Sequence, residues 1–147
     1  MPTSRLRSDV LDQLVTRSGH VIFTAKTAKP FSPRNIITIC PNRVTITYGS
    51  FFGKEEYPLP MDNVIGARVN SGFVYSTLII ETFGYQKPEP LEYLLVKDAR
   101  LARRYILALV ECNRNKIDLN GYTLSQLQQK LKLIGMVHHD SKTSNRL

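Results

Sequence analysis

Phe73-Val74-Tyr75-Ser76-Thr77-Leu78-Ile79-Ile80-Glu81-Thr82 is the stretch that decides the fold. It is rich in β-branched and aromatic residues, holds no proline or glycine, and is bounded by Gly72 and Gly84. Side chains of this kind pack well on a pleated surface, so the stretch reads as a central strand. Val74, Leu78 and Ile80 are expected on one face and Phe73, Tyr75 and Ile79 on the other, with both faces partly covered.

Reading back from it, residues 64–69 form a strand with Ile65, Ala67 and Val69 on a shared face, and Asn70-Ser71-Gly72 is the turn. Residues 54–59 form another, stopped by Pro60, with Phe51-Phe52-Gly53 bending its entry and Gly53 a candidate bulge. Arg43-Val44-Thr45-Ile46-Thr47-Tyr48 alternates apolar and polar residues, which implies an antiparallel sheet with one solvated face. Pro41-Asn42 turns it back to a strand over 35–40. Residues 20–25 open the series, and the 26–34 connection, with Pro30, Pro33 and three cations, is a loop with Phe31 in its middle. Reading forward, 83–90 is a loop, and Leu91, Tyr93 and Leu95 share a face of the last strand.

The period then changes. Asp98 sits near the positive end of a helix whose Leu101, Ala102, Tyr105, Ile106, Leu109 and Val110 form one stripe, with Arg100, Arg103, Arg104 and Arg114 off it. Thr123-Leu124-Ser125-Gln126 is a capping-box pattern that opens a last helix, expected to end at Gly135 before a loose polar tail. At the other end of the chain, Leu6, Val10, Leu11, Leu14 and Val15 mark an amphipathic helix closed by Ser18-Gly19.

The chain has 147 residues, 42% of them hydrophobic, enough for one domain with a small helical extension. No apolar run approaches the roughly 18 residues of a membrane-spanning helix. The N-terminal residues do not read as a secretion signal. Cys40 and Cys112 lie in apolar patterns and are expected as buried free thiols in a reducing compartment. The formal charge of +8 is uneven, both flanks being basic and residues 51–96 acidic. Such an excess attracts nucleic acid or anionic lipid in some proteins and serves only solubility in many others.

About seven short antiparallel strands followed by an amphipathic helix is the order of a pleckstrin-homology-like (PH-like) fold. Residues 39–49, ICPNRVTITYG, resemble a turn-and-strand run of bacterial PH-like domains. Residues 57–64, YPLPMDNV, and 76–82, STLIIET, are similar to two more of their segments, and Lys97-Asp98-Ala99 with the helix after it looks like their closing helix. The resemblance covers residues 20–113 and implies an α+β, mainly β barrel closed by a helix, flanked by extra helices over 1–19 and 114–147. The closing helix lacks the tryptophan usual in eukaryotic PH domains.

No phosphate loop, dinucleotide fingerprint or nucleophile elbow occurs. His138-His139 alone do not make a metal site. The cysteines have no histidine or cation cluster beside them in sequence. The expectation is a non-enzyme without cofactor or metal. Its function is expected to be binding through protein contacts or self-assembly, with Leu124, Leu127, Leu131 and Ile134 as the interface candidates, because that apolar face must be buried on its own domain or on a second copy. A groove between a sheet edge and the closing helix, which the resemblance implies, suits peptide docking. The alternative is an anionic lipid or phosphate surface met by Lys26, Lys29 and Arg34, with Phe31 inserting between them and Arg43 nearby. Nucleic acid, through Arg100, Arg103 and Arg104, ranks third, since the sheet lacks an aromatic stacking platform flanked by cations. The expected location is cytoplasmic, or peripheral to the inner face of the membrane under the lipid alternative.

Overall fold

The structure, a computed structural model, describes residues 20–85 and 87–144, with side chains of the last helix described to Met136. The helix expected over 1–19 and the side chains of His138 and His139 lie outside the described residues. Seven strands come first: β1 (Phe23–Lys26), β2 (Ile36–Cys40), β3 (Arg43–Ser50), β4 (Gly53–Pro60), β5 (Val64–Ser71), β6 (Tyr75–Thr82) and β7 (Leu91–Leu95). A single 3-10 turn, η1 (Met61–Asn63), separates β4 from β5, and α1 (Val96–Arg114) and α2 (Leu124–Ser144) close the chain. The strands form two antiparallel sheets, β1-β2-β3-β4 and β5-β6-β7. The fold is mainly β, of the α+β class. Among the described residues, no strand of one sheet is ladder-paired with a strand of the other.

The first sheet follows the sequence alternation closely. Ile37, Ile39, Val44 and Ile46 are buried to within 1% and turn the same face inward, while Thr45 and Thr47 are half-exposed on the other. Gly53 is no bulge: it pairs with Ser50 in unbroken register, and Phe51-Phe52 is the two-residue turn between them.

The second sheet departs from simple alternation twice. A register shift between Val64 and Gly66 turns Ile65 outward, so Val64, Gly66 and Ala67 are buried instead of an Ile65–Ala67–Val69 row. In β7 the residues from Leu91 to Leu94 oppose only Ser76 to Leu78, which leaves an extra residue in β7. Tyr93 takes the strain at φ +62°, and Leu94 enters the core in place of Tyr93 or Leu95. β6 is the middle strand of its sheet, and Ser76, Leu78, Ile80 and Thr82 form its buried face. Phe73 and Val74 belong to the preceding turn and are exposed.

Helix α1 packs against β1 and β2 of one sheet, all three strands of the other, η1 and α2. Ala99, Ala102, Ile106 and Ala108 are fully buried on it. It ends in a Schellman motif: Ile117 N–H donates to Cys112 O (3.0 Å) and Lys116 N–H to Asn113 O (3.2 Å). The left-handed position belongs to Lys116 at φ +52°, where glycine is the usual occupant.

The capping box forms as expected, Gln126 N–H donating to Thr123 Oγ1 (3.3 Å) and Thr123 N–H to Gln126 Oε1 (3.0 Å). Gly135, however, does not stop α2, which continues to Ser144. It is buried where the two helices touch: a Cβ there would lie 2.6 Å from Arg104 O. The glycine is a close-approach residue rather than a terminator.

Two substitutions test this reading by thermal or urea unfolding. Gly135→Ala gains helix propensity yet forces the helices apart, with an expected net loss of about 1–3 kcal/mol. Lys116→Gly relieves the left-handed backbone and is expected to raise stability by about 0.5–1 kcal/mol.

Candidate functional site

Three connections meet at one end of the first sheet. The register Lys26↔Ile36, Ile36↔Thr47 and Thr47↔Glu56 places the β1–β2 loop and the β3–β4 turn side by side. The loop is closed at its base, Thr27 N–H donating to Asn35 O (2.9 Å) and Asn35 N–H to the buried Thr27 Oγ1 (2.9 Å). Gly49 joins the two connections: its N–H donates to Asn35 Oδ1 (3.0 Å), and a Cβ on it would lie 2.6 Å from Arg34 O. The β6–β7 loop is the third. Tyr48 Oη–H donates to Glu89 O (3.2 Å), and Ala28 N–H donates to Tyr93 O (2.8 Å). Between the three lies a polar cavity of about 350 Å³ lined by Thr27, Lys29, Asn35, Gly49, Glu89 and Tyr93 among others.

What these connections display is aromatic. Phe31 sits at the loop apex with φ +55° and is 102% exposed. Phe51 and Phe52 form the neighbouring turn at 81% and 102% exposure. Tyr85, on the third loop, is exposed as well. Lys29 Nζ stands 5.5 Å from the Tyr93 ring centroid, and that ring meets Tyr75 edge-on with centroids 5.7 Å apart. Sequence reading treated Phe51 and Phe52 as the bend into a strand. The available signal was two large apolar residues in a two-residue hairpin turn, where small polar residues are favoured.

The charges at this end are mixed. Lys26, Lys29 and Arg34 are exposed, as anion binding requires. The same three connections and their flanking strand ends also carry Lys54, Lys87, Glu55, Glu56, Glu89 and Glu92, so five cations face four carboxylates. Arg43 does not join them. It pairs with Cys40 and Pro60 at the opposite end of β3, six residues and about 20 Å from Gly49.

The leucine face of α2 is occupied within the chain. Leu127 and Leu131 are buried in the core shared with α1, Ile134 packs against it, and Leu124 is 39% exposed at its edge. Helix α1 lies against β5, and Arg103 Nε donates to Ala67 O (3.2 Å) across that junction. Arg103 and Arg104 are half-buried, so of the arginines weighed for nucleic acid only Arg100 is well exposed.

Cys40 and Cys112 are buried free thiols, and burial, with Glu111 beside it, pushes the Cys112 thiol up. Among the described residues, no group of three or more His, Cys, Asp or Glu side chains is placed to hold a metal. No described helix is long and apolar enough to cross a membrane. No protein-family model, curated protein or solved structure matches the chain.

Tyr48 ties the third loop to the sheet, and Tyr48→Phe is expected to cost about 1 kcal/mol at neutral pH. Burial raises the Tyr48 and Tyr105 hydroxyls above the ordinary 10.0. Their stabilisation is therefore complete below pH 10 and is lost as pH rises through the folded-state values. Unfolding curves across that window are expected to show a shallower alkaline decline for Tyr48→Phe than for the parent chain.

Proposed function

We propose that this chain is a non-catalytic PH-like binding module that works in the cytoplasm through protein contacts at the phenylalanine-tipped end of its first sheet. The observation that carries this is the near-complete exposure of Phe31, Phe51 and Phe52 on adjoining connections. Two antiparallel sheets followed by a packed helix support the PH-like part, with α1 as the closing helix of the barrel.

Magnitudes separate the partners. Burying one exposed phenylalanine gains about 1.5–3 kcal/mol, so three supply about 5–9 kcal/mol before ordering costs. Three cations at an anionic surface add about 1 kcal/mol each, and the four nearby carboxylates oppose them. The apolar term is the larger, and aromatic anchors ringed by charges of both signs match a protein partner better than an anionic sheet. The connections are hydrogen-bonded to one another before any partner arrives, which lowers the ordering cost. The partner presents apolar recesses for the phenylalanine rings. Self-assembly through the α2 leucines is not favoured, because that face is buried in cis.

A second reading keeps one specific support: Phe31 stands between Lys29 and Arg34 at the loop apex, the arrangement of an inserting ring flanked by phosphate contacts.

The test compares the parent chain with Phe31→Ser/Phe51→Ser/Phe52→Ser and with Lys26→Glu/Lys29→Glu/Arg34→Glu, each first checked for an unchanged melting temperature. The serine variant is expected to lose at least tenfold in affinity for the partner that photo-crosslinks to position 52, and the glutamate variant less than threefold. Sedimentation of the parent with phosphatidylserine vesicles, abolished in the glutamate variant, would instead establish the lipid reading.

A further inference from the structure

A second cavity lies far from the phenylalanine end, at the other end of β2 and β3. It has a volume of about 390 Å³ and is walled by the β2–β3 turn, η1, the end of α1, the 115–123 connection and the start of α2. Its location at the other end of β2 and β3 makes it independent of the contact surface proposed above.

The lining divides in two. Met61, Leu109 and Leu127 are core side chains, at most 4% exposed, so the cavity reaches the hydrophobic core itself. Ile117, Tyr122 and Leu124 stand at the rim, 39–50% exposed. The polar lining comprises Asn113, whose Nδ2–H donates to Asp62 Oδ1 (2.8 Å), with His20, Asn42 and Asn120. Among the described lining residues, Asp62 is the only formally charged side chain, histidine counted as neutral.

The connection that forms the outer wall is held in place. The Schellman bonds fix residues 112–117, Asn115 Nδ2–H donates to Glu111 O (2.9 Å), and Asn120 N–H donates to Asp118 Oδ1 (2.9 Å). Gly121 at φ +88° then turns the chain into the capping box of α2. An apolar interior, one carboxylate among the described lining residues and a hydrogen-bonded wall are the features of a pre-formed small-molecule site.

We infer that this cavity binds a compact, monocationic organic molecule, its hydrocarbon body against Met61, Leu109 and Leu127 and its ammonium donating to Asp62. A volume near 390 Å³ admits a ligand about the size of one aromatic ring with a short side chain, at the lower end of the range for drug-sized sites. An anion of the same shape meets the Asp62 carboxylate without a compensating cation among the described lining residues, so the site discriminates by charge.

The test uses the full chain and amide chemical-shift titrations. The probe is phenethylammonium, with phenylpropanoate as the matched anion. Saturable shifts at Asp62, Asn113, Ile117 and Leu127 are expected with the cation and not with the anion. Asp62→Asn keeps the acceptor for Asn113 and removes the charge; it is expected to weaken the cation about five- to tenfold at an unchanged melting temperature. Leu124→Trp plugs the rim and is expected to abolish the shifts. Equal response to both probes, no saturable response to either, or an undiminished affinity in Asp62→Asn overturns the assignment. So do contacts, in the ligand-free chain, between residues 1–19 and Leu109 or Leu127, which would mean that the chain fills this cavity itself.

Discussion

Everything in this structure depends on one helix being buried against two sheets that share no ladder. Each sheet buries one face, and a sheet of three or four strands has to cover that face. α1 does this for both. Its alanines at 99, 102 and 108 bring the backbone close, while Ile106 and Leu109 fill the space left over, and all five are at most 1% exposed. Other described links run through loops: Tyr48 of β3 donates to Glu89 in the β6–β7 loop, and Ala28 in the β1–β2 loop donates to Tyr93 of β7. The helix in turn receives α2, whose Leu127 and Leu131 complete the same core. The final helix is thus part of the folded unit rather than a free arm.

Much of this was legible in the residues because period is a strong signal. The alternation of Val44, Ile46 and Tyr48 gave β3, the stripe through Tyr105 and Leu109 gave α1, and Thr123 with Gln126 marked the start of α2. The failures cluster where a tertiary contact overrides a local rule. Ile65 faces outward and Leu94 inward because bulges shift the count of a period-two strand; Gly66, at the first shift, was the available signal, and the sequence reading placed the bulge at Gly53 instead. Tyr93 occupies a conformation that its side chain disfavours. Gly135 reads as a stop from sequence, yet its function is to leave room for Arg104 of another helix.

The candidate surface was half legible for the same reason. Lys26, Lys29, Phe31 and Arg34 are neighbours in sequence, so the loop stood out. Phe51 and Phe52 join them only through the β2–β3 register, which a linear reading does not combine with a loop twenty residues away. Arg43 shows the converse: register, not sequence distance, decides what is near, and it carries Arg43 to the far end of the sheet. The α2 leucines were correctly recognised as a face that must be buried, and helix packing in cis decides where.

Native-state hydrogen exchange on Ile106→Ala tests the central claim, that α1 unites the two sheets. Truncating a fully buried isoleucine costs about 2–5 kcal/mol. If α1 is the shared core, the slowest amides of β2 and β3 and those of β6 lose protection by the same free energy, because both sheets open together. Loss confined to β5–β7, with β2 and β3 keeping their parent protection, would show that the first sheet stands without the helix and would contradict the account.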